Sequence, residues 1–183
     1  QPDLIITSDG SHTLYIPEMN ESYHSVNGAV AESMHVYLEH GYRYLGHREN
    51  ITVAEMGFGT GLNCLLTALE AGNAQIPTLY YAVEKYPLTE ELLWSLNYPQ
   101  LLGVESAGIF RQIHETPWET ELEISPWFKL KKICRDMLAD PLEGITGIDL
   151  IYFDAFGPDK QPEIWNSGLF TYLFSRMNPG GVF

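Results

Sequence analysis

The chain has 183 residues, with 10 lysines and arginines against 24 aspartates and glutamates, a formal net charge of −14. That length suits one domain able to bury a core, and a hydrophobic content of 45% rules out wholesale disorder. The charge argues against a broad nucleic-acid-binding face, because such faces are built from Lys and Arg that neutralise phosphates.

In chain order, residues 4–7 and 12–16 read as two strands turned by Ser8-Asp9-Gly10, a hairpin. Residues 19–28 are polar and read as a loop. Over 29–45 the spacing of Met34, Tyr37, Leu38, Tyr42 and Leu45 predicts a helix. A short apolar strand over 51–56 runs into Gly57-Phe58-Gly59-Thr60-Gly61, and a helix over 62–71 ends at Gly72. A second strand, 78–83, ends at Glu84 and is followed by a helix over 89–96. Residues 119–124 and 128–133 alternate about Ser125-Pro126 as a hairpin that feeds its second strand into the sheet. An apolar strand over 148–153 ends at Asp154, a helix covers 168–177, and Pro179-Gly180-Gly181 turns the chain toward a strand beginning at Val182-Phe183.

Strands alternating with helices predict an α/β fold, a mostly parallel, doubly wound sheet with helices on both faces. The expected organisation is one domain, with residues 1–48 as a hairpin-and-helix extension and 49–183 as the core. A chain stopping at the first residues of a strand suggests that C-terminal strands are missing. No apolar run reaches the roughly 18 residues of a membrane span, and the start lacks the basic-then-apolar pattern of a secretory signal. Cys64 and Cys134 lack the spacing of a disulfide framework or zinc site; both lie in apolar-patterned stretches and read as buried thiols of a reducing cytoplasm. The six histidines form no HxH or HExxH pattern, so no metal is expected.

Chemistry concentrates at strand ends. Glu55-Met56-Gly57-Phe58-Gly59-Thr60-Gly61 sits between a strand and a helix, where glycines let the backbone turn sharply and approach a ligand. Its E-x-G-x-G-x-G spacing differs from the G-x-G-x-x-G of dinucleotide binders. Glu84, ending the next strand, can accept both hydroxyls of a ribose. Asp136, after the strand that ends at Cys134, can accept from an adenine amino group. These strand ends describe a nucleoside pocket. No GxxxxGK[ST] phosphate grip accompanies them, and a nucleoside site without a phosphate site points to S-adenosylmethionine, whose positive sulfonium suits an acidic pocket. Asp154 then falls where the transferred methyl group lies, able to orient an amine or take its proton. Phe156 and Trp165, in the proline- and glycine-rich stretch 154–165, are placed to stack on a flat base.

With these motifs in hand, the sequence resembles the methyltransferase domain of the MnmC family, which modifies the wobble uridine of transfer RNA. The likeness is carried by GFGTGLNCL (57–65), EKYPLT (84–89), DAFGPDKQPEIW (154–165), Leu169-Phe170, Pro179–Gly181 and YHSVNGAVAESMH (23–35). It implies a Rossmann-like class I methyltransferase that methylates the 5-aminomethyl group of wobble (2-thio)uridine to methylaminomethyl(2-thio)uridine. By matching motif, Glu55, Gly57, Gly59, Thr60, Gly61, Asn63, Glu84, Lys85, Asp136 and Met137 fall to the cofactor. Asp154 falls to the target amine, and Phe156, Pro158, Lys160 and Trp165 to the substrate. The implied partners are the tRNA anticodon loop and a separate FAD-dependent oxidase or other enzyme that supplies the aminomethyl group, since no oxidase domain is expected in this chain. Given the charge, RNA contact is expected to be small and to use Lys85, Lys160, the missing C-terminal part or a partner. Three other readings stand beside this one: methylation of a small free amine, aminopropyl transfer, and a non-catalytic nucleoside-binding module.

Overall fold

A computed structural model of the protein describes residues 2–183. The chain opens with a small antiparallel sheet of β1 (Asp3–Ile6), β2 (His12–Ile16) and β3 (Glu21–Ser22), the last lying inside the expected loop. Asp9 ties its turn. Its carboxylate accepts from the Ser11 hydroxyl and from the amides of Ser11 and Ala31. These bonds overcome the opposing effect of partial burial and hold the Asp9 carboxyl down at about 2.

The helical span expected over 29–45 is three different helices in succession. One turn of α-helix, α1 (Ala29–Ser33), passes into a nine-residue π-helix (Met34–Tyr42) and a 3-10 turn (Arg43–Leu45). The larger unit follows as β4 (Ile51–Met56), α2 (Leu62–Ala74), β5 (Thr78–Glu84), α3 (Glu90–Ser95), α4 (Tyr98–Leu102), α5 (Val104–Glu115), β6 (Glu121–Ser125), β7 (Phe128–Cys134), β8 (Ile148–Phe153), α6 (Ser167–Ser175) and β9 (Met177–Val182). Helix α2 runs past Gly72 and stops at Gln75, which takes the left-handed conformation with φ of 56°.

The six strands lie in the order β6-β7-β5-β4-β8-β9, all parallel except the β6–β7 hairpin. The expected α/β sheet is therefore present. The strand order reverses at β4, which has β5 on one side and β8 on the other, and crevices for ligands open at the carboxyl edge of such a switch point. One face of the sheet packs Leu65, Tyr80, Phe110, Leu130 and Tyr152 into the larger core; the other packs Met56, Val83, Ile151, Leu169 and Leu173 beneath α6.

Three features depart from expectation. Helices α4 and α5 fill residues 98–115, where no element was expected. The final strand begins at Met177, five residues early, because β8 supplies a parallel partner that pairs Ile148 with Met177 and Leu150 with Val182 across an irregular register. Cys64 is buried as expected, whereas Cys134 is exposed at the end of β7. Among the described residues, no helix is long and apolar enough to cross a membrane.

Candidate active site

The loops leaving β4, β5, β7 and β8 meet around one cavity of about 800 Å³, within the range usual for small-molecule sites. The glycine loop forms its floor. The amides of Gly57 and Phe58 both donate to the Val83 carbonyl. Gly57 has φ of +97°, and a Cβ there would lie 2.2 Å from the Asp154 carbonyl oxygen. At Gly59, with φ of +50°, a Cβ would lie 2.9 Å from the Tyr23 ring. Only glycine allows these approaches.

Along the cofactor side, Glu84 accepts from the Gly59 amide through Oε2 (3.0 Å) and from the Tyr86 amide through Oε1 (2.8 Å). Each oxygen keeps a lone pair for a ribose hydroxyl. Asp136 takes the Leu138 amide and pairs with Lys85 Nζ at 2.7 Å, and these contacts lower its carboxyl pKa. Met137 lines the wall beside it. Gly57, Gly59 and Thr60 line the cavity; Gly61 and Asn63 do not. Gly61 instead starts α2 at φ of +75° against His114, and Asn63 works from below.

Glu55 departs further from its expected role. It is completely buried beneath the loop and does not line the cavity. Burial, and then the Asp154 charge, push its carboxyl pKa well up, which favours the neutral form. The Asn63 amide spans the two acids, donating through Nδ2 to Glu55 Oε1 at 3.1 Å and to Asp154 Oδ2 at 2.7 Å.

Asp154 faces the cavity at the end of β8. Burial raises its pKa to about 6, against hydrogen bonds from Tyr37 and Asn63 that hold the charged form. It is therefore mostly ionised at neutral pH. Around it stand residues given no role from the sequence: Tyr23 and Glu32 of the 23–35 segment, and Tyr37; Glu32 Oε2 accepts from the Ser25 amide at 2.7 Å. Glu21 and Glu163 add further acid to the wall, and Lys85 is the one lysine or arginine on it among the described residues. The cavity thus favours a cation.

The stretch 154–165 divides unevenly between cavity and scaffold. Phe156 lines the cavity and meets Tyr23 edge-on, with ring centroids 5.4 Å apart. Pro158 is exposed and off the wall. Lys160 turns away and donates Nζ to the Met19 carbonyl at 2.8 Å, fastening the loop to the N-terminal sheet. Trp165 also lies outside the cavity. Its ring packs on Phe153 and Phe170, and Nε1 donates to the Phe156 carbonyl at 2.9 Å. It shapes the loop while its ring stays partly exposed to solvent. Lys85 and Lys160, expected to meet RNA, thus both have partners within the chain.

These features suit a nucleoside carrying a positive charge and no phosphate: a glycine floor, two carboxylates with spare lone pairs at adjacent strand ends, and acidic walls. Sequence comparison agrees. Residues 109–183 match the model of a family described as S-adenosyl-L-methionine-dependent methyltransferase. In fold, and in sequence over residues 109–183, the chain is similar to the Rossmann-like S-adenosyl-L-methionine-dependent methyltransferases.

Within that class its likeness is to MnmC. It is 28% identical to the tRNA 5-methylaminomethyl-2-thiouridine biosynthesis bifunctional protein MnmC of Actinobacillus pleuropneumoniae serotype 5b, over 97% of this chain and 29% of that protein. The Magnetococcus marinus protein of the same name is 30% identical over 93% of this chain and 26% of its own length. The chain therefore spans less than a third of these relatives. Among solved structures, MnmC2 from Aquifex aeolicus superposes with a TM-score of 0.80 at 24% identity, covering 99% of this chain and 58% of that one, which supports the architecture.

Proposed function

We propose that this domain methylates the exocyclic amine of an aminomethyl group at C5 of a tRNA wobble uridine or 2-thiouridine, in the cytoplasm. A separate oxidase or other enzyme would deliver that aminomethyl group. The observation that carries this reading is the ionised Asp154 at the junction of the glycine loop and an acid-walled cavity. The sequence likeness to MnmC supports the substrate.

The bound cofactor supplies an electrophilic methyl group on a positively charged sulfur. The chain does the rest. Gly57–Thr60 and Glu84 fix the nucleoside, and the acidic wall draws in the protonated amine. Asp154 holds that ammonium through its carboxylate, while Asn63 and Tyr37 keep the carboxylate ionised and aimed. The amine loses a proton to Asp154 or to water before its lone pair attacks. Holding nitrogen and methyl carbon in line can contribute about 7–11 kcal/mol. Phe156 and Tyr23 offer aromatic edges and faces to a base turned out of its stack.

The test is methylation of tRNA bearing aminomethyl-2-thiouridine by the full chain, read by nucleoside mass. A gain of one methyl that is lost in Asp154→Ala supports the reading. Equal transfer to the free aminomethyl nucleoside assigns a small-amine methyltransferase instead, and transfer of an aminopropyl group excludes methylation.

A further inference from the structure

The solvent face of the π-helix carries a second cluster that the methyl-transfer chemistry does not use. We propose that His35, Glu39 and His40 form a binding site for a divalent first-row transition metal, zinc in the first instance. One candidate ligand atom from each of the three lies within 4.8 Å of the others. The helix type creates this arrangement. In an α-helix residue i+5 lies about 140° round from residue i, whereas the wider π turn, bonded i to i+5, brings both i+4 and i+5 beside i. A search for α-helical histidine spacing therefore passes over H-x-x-x-E-H.

The side chains are set up for a metal. His40 donates Nδ1–H to the His35 carbonyl at 2.7 Å, which fixes its tautomer and leaves Nε2 as a lone-pair ligand. That bond is the usual outer support of a metal-bound histidine. His35 Nδ1 and Glu39 Oε2 are 3.2 Å apart, close to the roughly 3.3 Å between neighbouring ligands on a tetrahedral ion with bonds of about 2.0–2.1 Å. The two imidazoles meet edge to face, with centroids 4.5 Å apart. Two imidazoles and one carboxylate, with positions left for water, suit Zn²⁺, Co²⁺ or Ni²⁺ rather than Mg²⁺. The site is exposed, so an ion reaches it without opening the fold. Val36 and Tyr37, in the same turn, line the cavity, so a bound ion would brace the turn that carries Tyr37.

The experiment is calorimetric titration of the metal-free full chain with Zn²⁺, with Mg²⁺ as control, followed by thermal unfolding with and without Zn²⁺. We expect one Zn²⁺ per chain, affinity at least tenfold weaker in His35→Ala and in His40→Ala, and a zinc-dependent rise in unfolding temperature that the double variant lacks. Cobalt should give a visible absorption band that vanishes in the same variants. No zinc heat, or unchanged stoichiometry and affinity in the double variant, overturns the proposal. None of these readouts depends on methyl transfer, so the site stands or falls apart from the proposed reaction.

Discussion

Replacing Asp154 with Asn should make the protein more stable and less active, with a gain that grows with pH. The carboxyl titrates near 3.8 in an unfolded chain and at about 6 in the fold, chiefly because it is buried. Between those values the folded chain holds a proton that the unfolded chain has released. Wild-type stability therefore falls as pH rises from about 4 to 6, and the loss is complete above 6. At 1.36 kcal/mol per pH unit the displacement sets a ceiling of about 3 kcal/mol. An amide has no proton to lose and escapes this penalty. Its weaker acceptance from Asn63 and Tyr37 is a cost that does not vary with pH, so between pH 4 and pH 7.5 the variant should gain about 2 kcal/mol on the wild type, a little under the ceiling because the unfolded carboxyl is already partly ionised at pH 4. Urea unfolding of both proteins at intervals from pH 4 to 8 measures the difference directly. A difference that stays flat across that range would refute the assignment of a buried, ionised Asp154. The same displacement predicts that kcat/KM of the wild type rises through a limb near pH 6.

Three further outcomes follow from the site. Asn63→Ala removes the donor shared by Glu55 and Asp154, so it should destabilise the protein by about 1–3 kcal/mol and move the activity limb above pH 6; denaturation and a pH–rate profile read both. Gly57→Ala places a methyl group 2.2 Å from the Asp154 carbonyl oxygen at a φ of +97°, so calorimetry should show cofactor binding lost and thermal melting should show a cost above about 2 kcal/mol. Phe156→Ala should raise KM for the amine substrate while leaving stability nearly unchanged, whereas Trp165→Leu should lower the unfolding temperature first, because its ring packs on Phe153 and Phe170.

The parts of the site legible in the sequence are those tied to strand ends. Gly57, Gly59, Glu84, Asp136 and Asp154 reach the cavity because a parallel sheet delivers its carboxyl ends to one edge. Tyr23 and Glu32 lie in the recognisable 23–35 segment, but their place in the site, and that of Tyr37, was not legible, because nothing in a linear pattern says which way the N-terminal extension folds back. The apolar spacing over 29–45 fits an α-helix and a π-helix almost equally, and only the backbone hydrogen bonding separates them. Helix α5 escaped notice because just Ser106, Phe110 and Ile113 are buried along its 12 residues. Trp165 falls outside the cavity after a short 3-10 turn (Pro162–Ile164), which composition does not encode. Strand β9 holds Pro179-Gly180-Gly181 and lacks strand propensity of its own; pairing with β8 imposes it.

The glycine loop and the Asp154 loop touch with no room for a single methyl group at Gly57. Two surfaces joined that closely form one mechanical part, and neither can drift without moving the other. A lineage adapting this domain to a different amine would find that seam nearly closed to variation. The permissive ground lies across the cavity, at Met19, Glu21 and Val36, where side chains can change size or charge without shifting the backbone that holds the nucleoside. Divergence in substrate among related domains should therefore accumulate in the N-terminal extension, while the strand-end loops stay nearly constant.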